Sequence, residues 1–184
     1  MIWFTSDTHF GHKNILKYTN RPFSSVEEMD EVLIENWNDR VDSKDEIYHL
    51  GDVALCSPGK LRKILTRLNG KIYLIKGNHD KSAEACRDRF EWIKDYYELK
   101  VPDRDGYEGE QLIVLFHYAM RVWLASHYGT YHLYGHSHGQ LPDEPTSLSF
   151  DVGIDCHSYA PINYERVKQI MSHKNWKPPQ LRVR

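Results

Sequence analysis

Hydrophobic positions change period along the chain, and the change divides it in two. "IWFTS" at 2–6, "EIYHL" at 46–50 and "KIYLIK" at 71–76 are short runs rich in β-branched and aromatic residues, which predicts buried strands. Between the first two, "SSVEEMDEVLIENWN" at 24–38 places Met29, Val32, Leu33 and Trp37 on one helical face. Ser24 and Ser25 stand three residues ahead of Glu27 and Glu28, a capping-box start. Residues 59–68 carry Leu61, Ile64, Leu65 and Leu68 at helical spacing, and another helix is predicted near 81–90. From residue 92 the pattern is mostly strand. "WIKDYYELKV" (92–101) and "QLIVLFH" (111–117) read as strands joined by "PDRDGYEGE", a hairpin-type connection. Further strands are expected at 130–135 and 147–154, and a last helix at about 163–172. The expected architecture is mixed α/β, two sheets packed face to face with helices outside. No linker or repeat interrupts it, so one domain is expected over 1–184, with 173–184 a loosely ordered basic tail.

Composition narrows the class. Over 184 residues, 40% are apolar and 27% charged, an ordinary globular balance. A net charge of −2 argues against a stable nucleic-acid partner or an anionic membrane surface. No apolar run is long enough to span a bilayer, and "MIWFTSDTHFGH" lacks the pattern of a signal peptide. The cysteines Cys56, Cys86 and Cys156 form no CxxC pair, which disfavours a thiolate zinc site and suits reduced thiols in the cytoplasm.

Eleven histidines change the picture, because several stand beside glycine and aspartate just after predicted strands. "SDTHFGH" gives Asp7, His9 and His12; "HLGD" gives Asp52; "KGNHD" gives Asn78, His79 and Asp80; "LFHY" gives His117; "LYGHSHG" gives His136 and His138. Alone, each has a bland explanation in a turn or a hydrogen-bonded core histidine. Together they place carboxylates, an amide oxygen and imidazoles at the strand ends, where ligands bind in α/β sheets. That donor set contains no thiolate and suits Mn, Fe, Zn, Co or Ni. Its size fits two divalent ions sharing a carboxylate, with manganese the first choice. Residues i and i+2 on an extended strand share a face, so spacing alone does not say whether His136 and His138 serve one ion or two.

The ordered set DxH, GD, GNHD, H, GHxH resembles the calcineurin-like metallophosphoesterase superfamily, from Asp7 to His138, and its small single-domain bacterial and phage members in particular. The resemblance implies a β-sandwich flanked by helices. It implies one ion on Asp7, His9, Asp52 and His138, a second on Asp52, Asn78, His117 and His136, and His79 facing substrate, oriented by Asp80. The implied chemistry is in-line attack on a phosphodiester or small phosphomonoester by a hydroxide held between the ions, His79 assisting the leaving group. A nucleotide is among the candidate substrates. Leu55 stands where purple acid phosphatases place a tyrosine, and "GDVALCS" lacks the Asp-Arg-Gly segment of protein phosphatases.

Further candidates are Arg121, four residues after His117 and able to grip a phosphate, and His12 and Arg21 as pocket-lining residues. Tyr118, Trp123, Tyr128, Tyr131 and Tyr134 read as core aromatics. His49, His127, His132, His157 and His173 carry no motif. The alternative function is a silent metal-binding scaffold that serves as a protein-interaction module; it would be marked by missing ligands, and every position is filled. The oligomeric state is not legible.

Overall fold

The strands sort into two sheets according to which face of each must be buried. The computed structural model describes residues 1–178. The first sheet contains β1 (Ile2–Thr5), β2 (Glu46–His49), β3 (Lys71–Ile75), β4 (Trp92–Lys94) and β9 (Ile162–Asn163), in the order β4-β3-β2-β1-β9. The second contains β5 (Tyr96–Tyr107), β6 (Glu110–Phe116), β7 (Tyr131–Tyr134) and β8 (Ser149–Asp151), in that order. β1 to β4 run parallel, as do β6, β7 and β8.

Period-two alternation divides the first sheet cleanly. Trp3, Ile47, Ile72 and Leu74 point to a core shared with helices α2 (Val26–Asn38) and α3 (Pro58–Leu65). Phe4, Tyr48, Tyr73 and Ile75 point to the other face, where they meet Leu99, Ile113, Leu115, Leu133 and Phe150 of the second sheet. α5 (Tyr164–Ser172) adds Val167 and Met171 to this inner core. Two sheets with helices outside is therefore the observed fold, as the sequence indicates.

α2 starts where expected. The Ser25 hydroxyl accepts from the Glu28 N–H at 3.1 Å, and the Glu28 carboxylate accepts from the Ser24 N–H at 2.7 Å, a reciprocal cap. Its buried face is Met29, Leu33, Ile34 and Trp37, while Val32 is only half-buried.

Other boundaries differ. The run 92–101 is not one strand: it changes sheets at Asp95, pairing Ile75 with Lys94 on one side and Tyr96 with Phe116 on the other. Alternation reports which face is buried and carries no record of the pairing partner. The nine-residue connection shrinks to a tight turn at Glu108–Gly109, both at positive φ (54° and 82°), because β5 continues through a bulge to Tyr107. The helix expected over 81–90 is α4 (Lys81–Glu84) followed by a 3₁₀ turn at Arg87–Arg89; Ala83, Cys86 and Phe90 are buried at helical spacing all the same. Helix α1 (Ile15–Tyr18) and edge strand β9 have no counterpart in the sequence reading. The tail read as loose from 173 is anchored in its first part. Asn175 N–H donates to the Pro145 carbonyl at 2.7 Å, Lys174 pairs with Asp143, and Trp176 packs on the inner core. Residues 179–184 of that tail lie outside the described residues. No helix among the described residues is long and apolar enough to cross a membrane.

Ser25→Ala removes the hydroxyl cap and should destabilise the fold by about 1 kcal/mol. Urea unfolding checks this, and an unchanged midpoint would show that the Glu28 carboxylate alone caps α2.

Candidate metal centre

Parallel strands deliver their C-terminal ends to one edge, and each sheet supplies a set. Asp7 and His9 follow β1, Asp52 follows β2, and Asn78, His79 and Asp80 follow β3. His117 follows β6, and His136 and His138 follow β7. Pairing continues past the strands: Asp7 N–H donates to the Gly51 carbonyl and His9 N–H to the Asp52 carbonyl, each at 3.0 Å. Across the sheets, Ile154 N–H donates to the Ser6 carbonyl at 3.1 Å, and His136 N–H donates to Asp7 Oδ2 at 2.9 Å.

Two groups of donors result. Asp7, His9 and His138 form one; Asp52, His117 and His136 form the other, with donor atoms within 4.8 Å of one another in each. Asp7 Oδ1 lies 3.9 Å from both His9 Nε2 and His138 Nε2. Asp52 stands between the groups, Oδ2 at 3.6 Å from His9 Nε2 and Oδ1 at 3.7 Å from His117 Nε2. Asn78 Oδ1 is 3.1 Å from His117 Nε2, which places it with the second group.

Asp7 Oδ1 and both ring nitrogens of His9 are buried without a hydrogen-bond partner. A buried polar atom left unpaired costs about 1–3 kcal/mol, more when charged. A divalent cation would satisfy Asp7 Oδ1 and His9 Nε2, the ring nitrogen that faces the carboxylates, so carboxylate and imidazole fit such an ion and no thiolate competes. The loops are also strained. Asp7, His9, Asp52, His136 and His138 all sit at φ between 48° and 66°, five of the ten non-glycine residues at positive φ among the described residues. Such residues cost about 1–3 kcal/mol each and gather where the surroundings fix them for function. Close approach is enforced by glycine: a Cβ on Gly135 would stand 1.9 Å from Ser6 Oγ, and one on Gly77 2.3 Å from Asp52 Oδ1.

Behind the donors is a layer that the sequence reading assigned otherwise or missed. Asp80 accepts from the backbone N–H groups of Asp52, Val53 and Gly77 at 2.7–2.9 Å. Its carboxylate is thus taken up in fixing the Asp52 and Gly77 loops, and the expectation that it orients the His79 ring is corrected. Arg21 is corrected too. Its side chain is wholly buried, pairing with both oxygens of Asp155 at 2.8 Å and donating to the Asp7 and Thr8 carbonyls, so it does not line the pocket. Asp155, which carries no motif, accepts from His138 Nδ1 at 2.7 Å and leaves Nε2 to face Asp7. Asp151 accepts from Gly139 and Gly153 N–H, tying down the loop after His138. Asp151 ends β8 and Asp155 lies in the 3₁₀ turn Ile154–Cys156 that follows it, so proximity to a strand end is the one signal that would have found them. Tyr118, read as core, is 39% exposed; its ring lies 4.7 Å from that of His136 and its hydroxyl donates to Asn78 Oδ1.

Burial dominates the electrostatics of the metal-free chain. It pushes the Asp7 carboxyl up to about 8 and the His9 imidazole down to about 2. It also lowers His117. Burial works against a charged His138 as well, yet the Asp155 hydrogen bond and the Asp7 charge outweigh it and raise that imidazole.

His79 is exposed at the mouth, its N–H donating to Asp52 Oδ1 at 2.8 Å and its ring 5.9 Å from that of His9. It lines a recess of about 500 Å³ with Leu55, Cys56, Asn78, Lys81 and Ser82. The half-buried His12 ring is 5.4 Å from that of His9 on the first group's side. Arg121 is exposed and lines a different recess of about 550 Å³, with Tyr134, Leu141 and Trp176 among its walls. Buried His49 and His132 are structural: His49 Nε2 bonds the Thr8 hydroxyl, and His132 accepts from Met120 N–H.

Two helix-flanked sheets thus gather histidine and aspartate groups at their strand ends. The chain belongs to the calcineurin-like phosphoesterase superfamily, whose domain it matches over residues 1–150. It is 36% identical to an uncharacterised protein of Methanocaldococcus jannaschii over 92% of this chain and 90% of that one. It is 29% identical to the gene 66 protein of Mycobacterium phage D29, over 90% of this chain and 94% of the other. A protein of unknown function from Aquifex aeolicus shares the fold, with a TM-score of 0.69 at 22% identity over 92% of this chain and 98% of that one. Family membership implies divalent metal ions, and two groups able to hold them are present.

Because burial holds Asp7 near 8, cation binding at this group should displace a proton at neutral pH. Apparent Mn²⁺ affinity is expected to rise by up to about tenfold per pH unit from 6 to 8, then level off. The folded value exceeds the unfolded 3.8, so the metal-free protein should lose stability from this group as pH climbs from about 4 to about 8. Calorimetric titration at several pH values, in buffers of differing protonation enthalpy, measures the displaced proton; a flat profile would refute the assignment. Gly135→Ala should lower stability by more than about 2 kcal/mol through overpacking and weaken Mn²⁺ binding with it.

Proposed function

We propose that this protein hydrolyses a phosphodiester or small phosphomonoester at the strand-end edge, using two divalent cations. The observation that carries the reading is the buried, unpartnered Asp7 Oδ1 and His9 Nε2, 3.9 Å apart, beside an Asp52 whose two oxygens face opposite groups. Asp7, His9, Asp52 and His138 would hold one cation; Asp52, Asn78, His117 and His136 would hold the other, with Asp52 shared. Manganese is the first choice and Fe, Zn, Co and Ni are its competitors. When bound, such a pair offsets the charge of the phosphate and makes a water nucleophilic near neutral pH.

The remaining chemistry falls to side chains. His79 is the group free to give a proton to the departing oxygen: it is exposed, and its backbone is pinned to Asp52. Asp80 supports this indirectly by holding the loops of Asp52 and Gly77 in register. The recess beside His79 supplies Lys81 as a further positive charge for an anionic substrate. Arg121 lines a separate recess whose walls include none of the candidate metal donors, so it is given no part in the reaction. Three free thiols suit a cytoplasmic setting.

The test is turnover of bis-p-nitrophenyl phosphate, p-nitrophenyl phosphate and 2′,3′-cyclic nucleotides by metal-reconstituted protein. Turnover that depends on Mn²⁺, Ni²⁺ or Zn²⁺ is expected, and its complete absence would favour the scaffold reading. His79→Ala should lower kcat by about 10²–10⁴-fold with metal content unchanged. A variant that turns over normally removes His79 from the mechanism.

A further inference from the structure

The two donor groups are supported differently. In the first, the His138 ring donates from Nδ1 to the Asp155 carboxylate at 2.7 Å. Asp155 is itself gripped through both oxygens by Arg21 at 2.8 Å. The same guanidinium donates to the Asp7 carbonyl at 2.7 Å and the Thr8 carbonyl at 3.0 Å. One buried side chain therefore fixes the tautomer and direction of His138 while bracing the strained backbone that carries Asp7 and His9. The second group has weaker support. His117 Nδ1 donates to a neutral carbonyl, that of Leu50, at 2.6 Å. His136 is exposed and packs against the rings of Tyr118 and His117, and Asn78 is exposed as well.

We infer that Arg21 and Asp155 are positioning residues that make the two cation positions unequal: the Asp7–His9–His138 position is the tight one, and the Asp52–His117–His136 position exchanges. The inference rests on the two-cation reading above. A carboxylate partner makes an imidazole a stronger donor than a carbonyl does, and losing such a partner typically costs about 10–100-fold in metal affinity. Rigid donors bind without an ordering cost, whereas exposed ones must be ordered when the ion arrives. Lysine cannot replace Arg21, because a point charge does not supply a two-pronged grip together with two carbonyl bonds.

The experiment is calorimetric titration of the metal-free full chain with Mn²⁺, and with Zn²⁺ in parallel. Wild type should show two steps of unequal affinity. Asp155→Asn should weaken the tighter step by about 10–100-fold and move the weaker one little; Arg21→Lys should act in the same direction. His136→Ala should abolish the weaker step alone. Thermal melts identify any variant that fails to fold, and Asp155→Asn, nearly isosteric, serves where Arg21→Lys does not. A merely structural role would lower the melting temperature without singling out one step. Equal steps in wild type, an unmoved tight step in Asp155→Asn, or loss of the tight step in His136→Ala would each overturn the inference and leave the phosphoesterase reading standing. Binding of neither ion by wild type would overturn both.

Discussion

The edge of this molecule depends on one buried carboxylate. Asp7 Oδ2 receives the backbone N–H of His136 from the other sheet, and Asp7 Oδ1 has no partner. The first oxygen joins the sheets where their strands end. The second is polar and buried, directed at two imidazole nitrogens and costly to leave alone. That contact forms only because Gly135 has no Cβ to strike Ser6. A larger residue there would separate the sheets where the two donor groups need them close. Strained backbone at five donors and an unpaired carboxylate are expenses that an ordinary turn would avoid. Two extensive apolar clusters, one under the helices and one between the sheets, hold the fold against them.

The position of the site was legible because of a coincidence of two periods. Strand runs ended just before each polar motif, so the donors mapped to strand ends without knowledge of strand order. What escaped was whatever strand periodicity does not encode. At Asp95 the chain leaves one sheet for the other, and the run looks like a single strand because β-forming residues stand on both sides of the change. Arg21 follows the first motif closely enough to be read as pocket lining, yet a long cation in a loop can turn inward, and here it meets Asp155, 134 residues away. Asp155 and Asp151 escaped because the short β8 precedes no recognisable string. Asp80 sits in a recognised string that does not disclose its partners: a carboxylate beside a histidine suggests a pair, but three backbone N–H groups hold it first.

The same layer explains why donors of one chemical type need not be equivalent. His117 and His138 both present Nε2 to the site because a hydrogen bond occupies Nδ1. Behind His117 stands a carbonyl, and behind His138 a carboxylate backed by a guanidinium. The carbonyl fixes a tautomer. The carboxylate fixes the tautomer and strengthens the ring as a donor as well. Asymmetry of this kind comes from residues that touch no substrate, so it can vary while the donors stay fixed.

It also separates the two histidines of "GHSHG" into different donor groups, which spacing alone could not do. The rule that i and i+2 share a face holds for extended backbone, and His136 and His138 sit at φ of 66° and 48°. Asp7 and His9 have the same spacing and similar φ, 58° and 50°, yet stay in one group. Backbone conformation therefore releases the side chains from the alternation without assigning them. The assignment comes from tertiary partners. Asp155 draws the His138 ring toward Asp7, while the His136 backbone is tied to Asp7 Oδ2 and its ring leans on Tyr118 and His117. Two imidazoles one residue apart diverge because each is held by a different distant part of the chain.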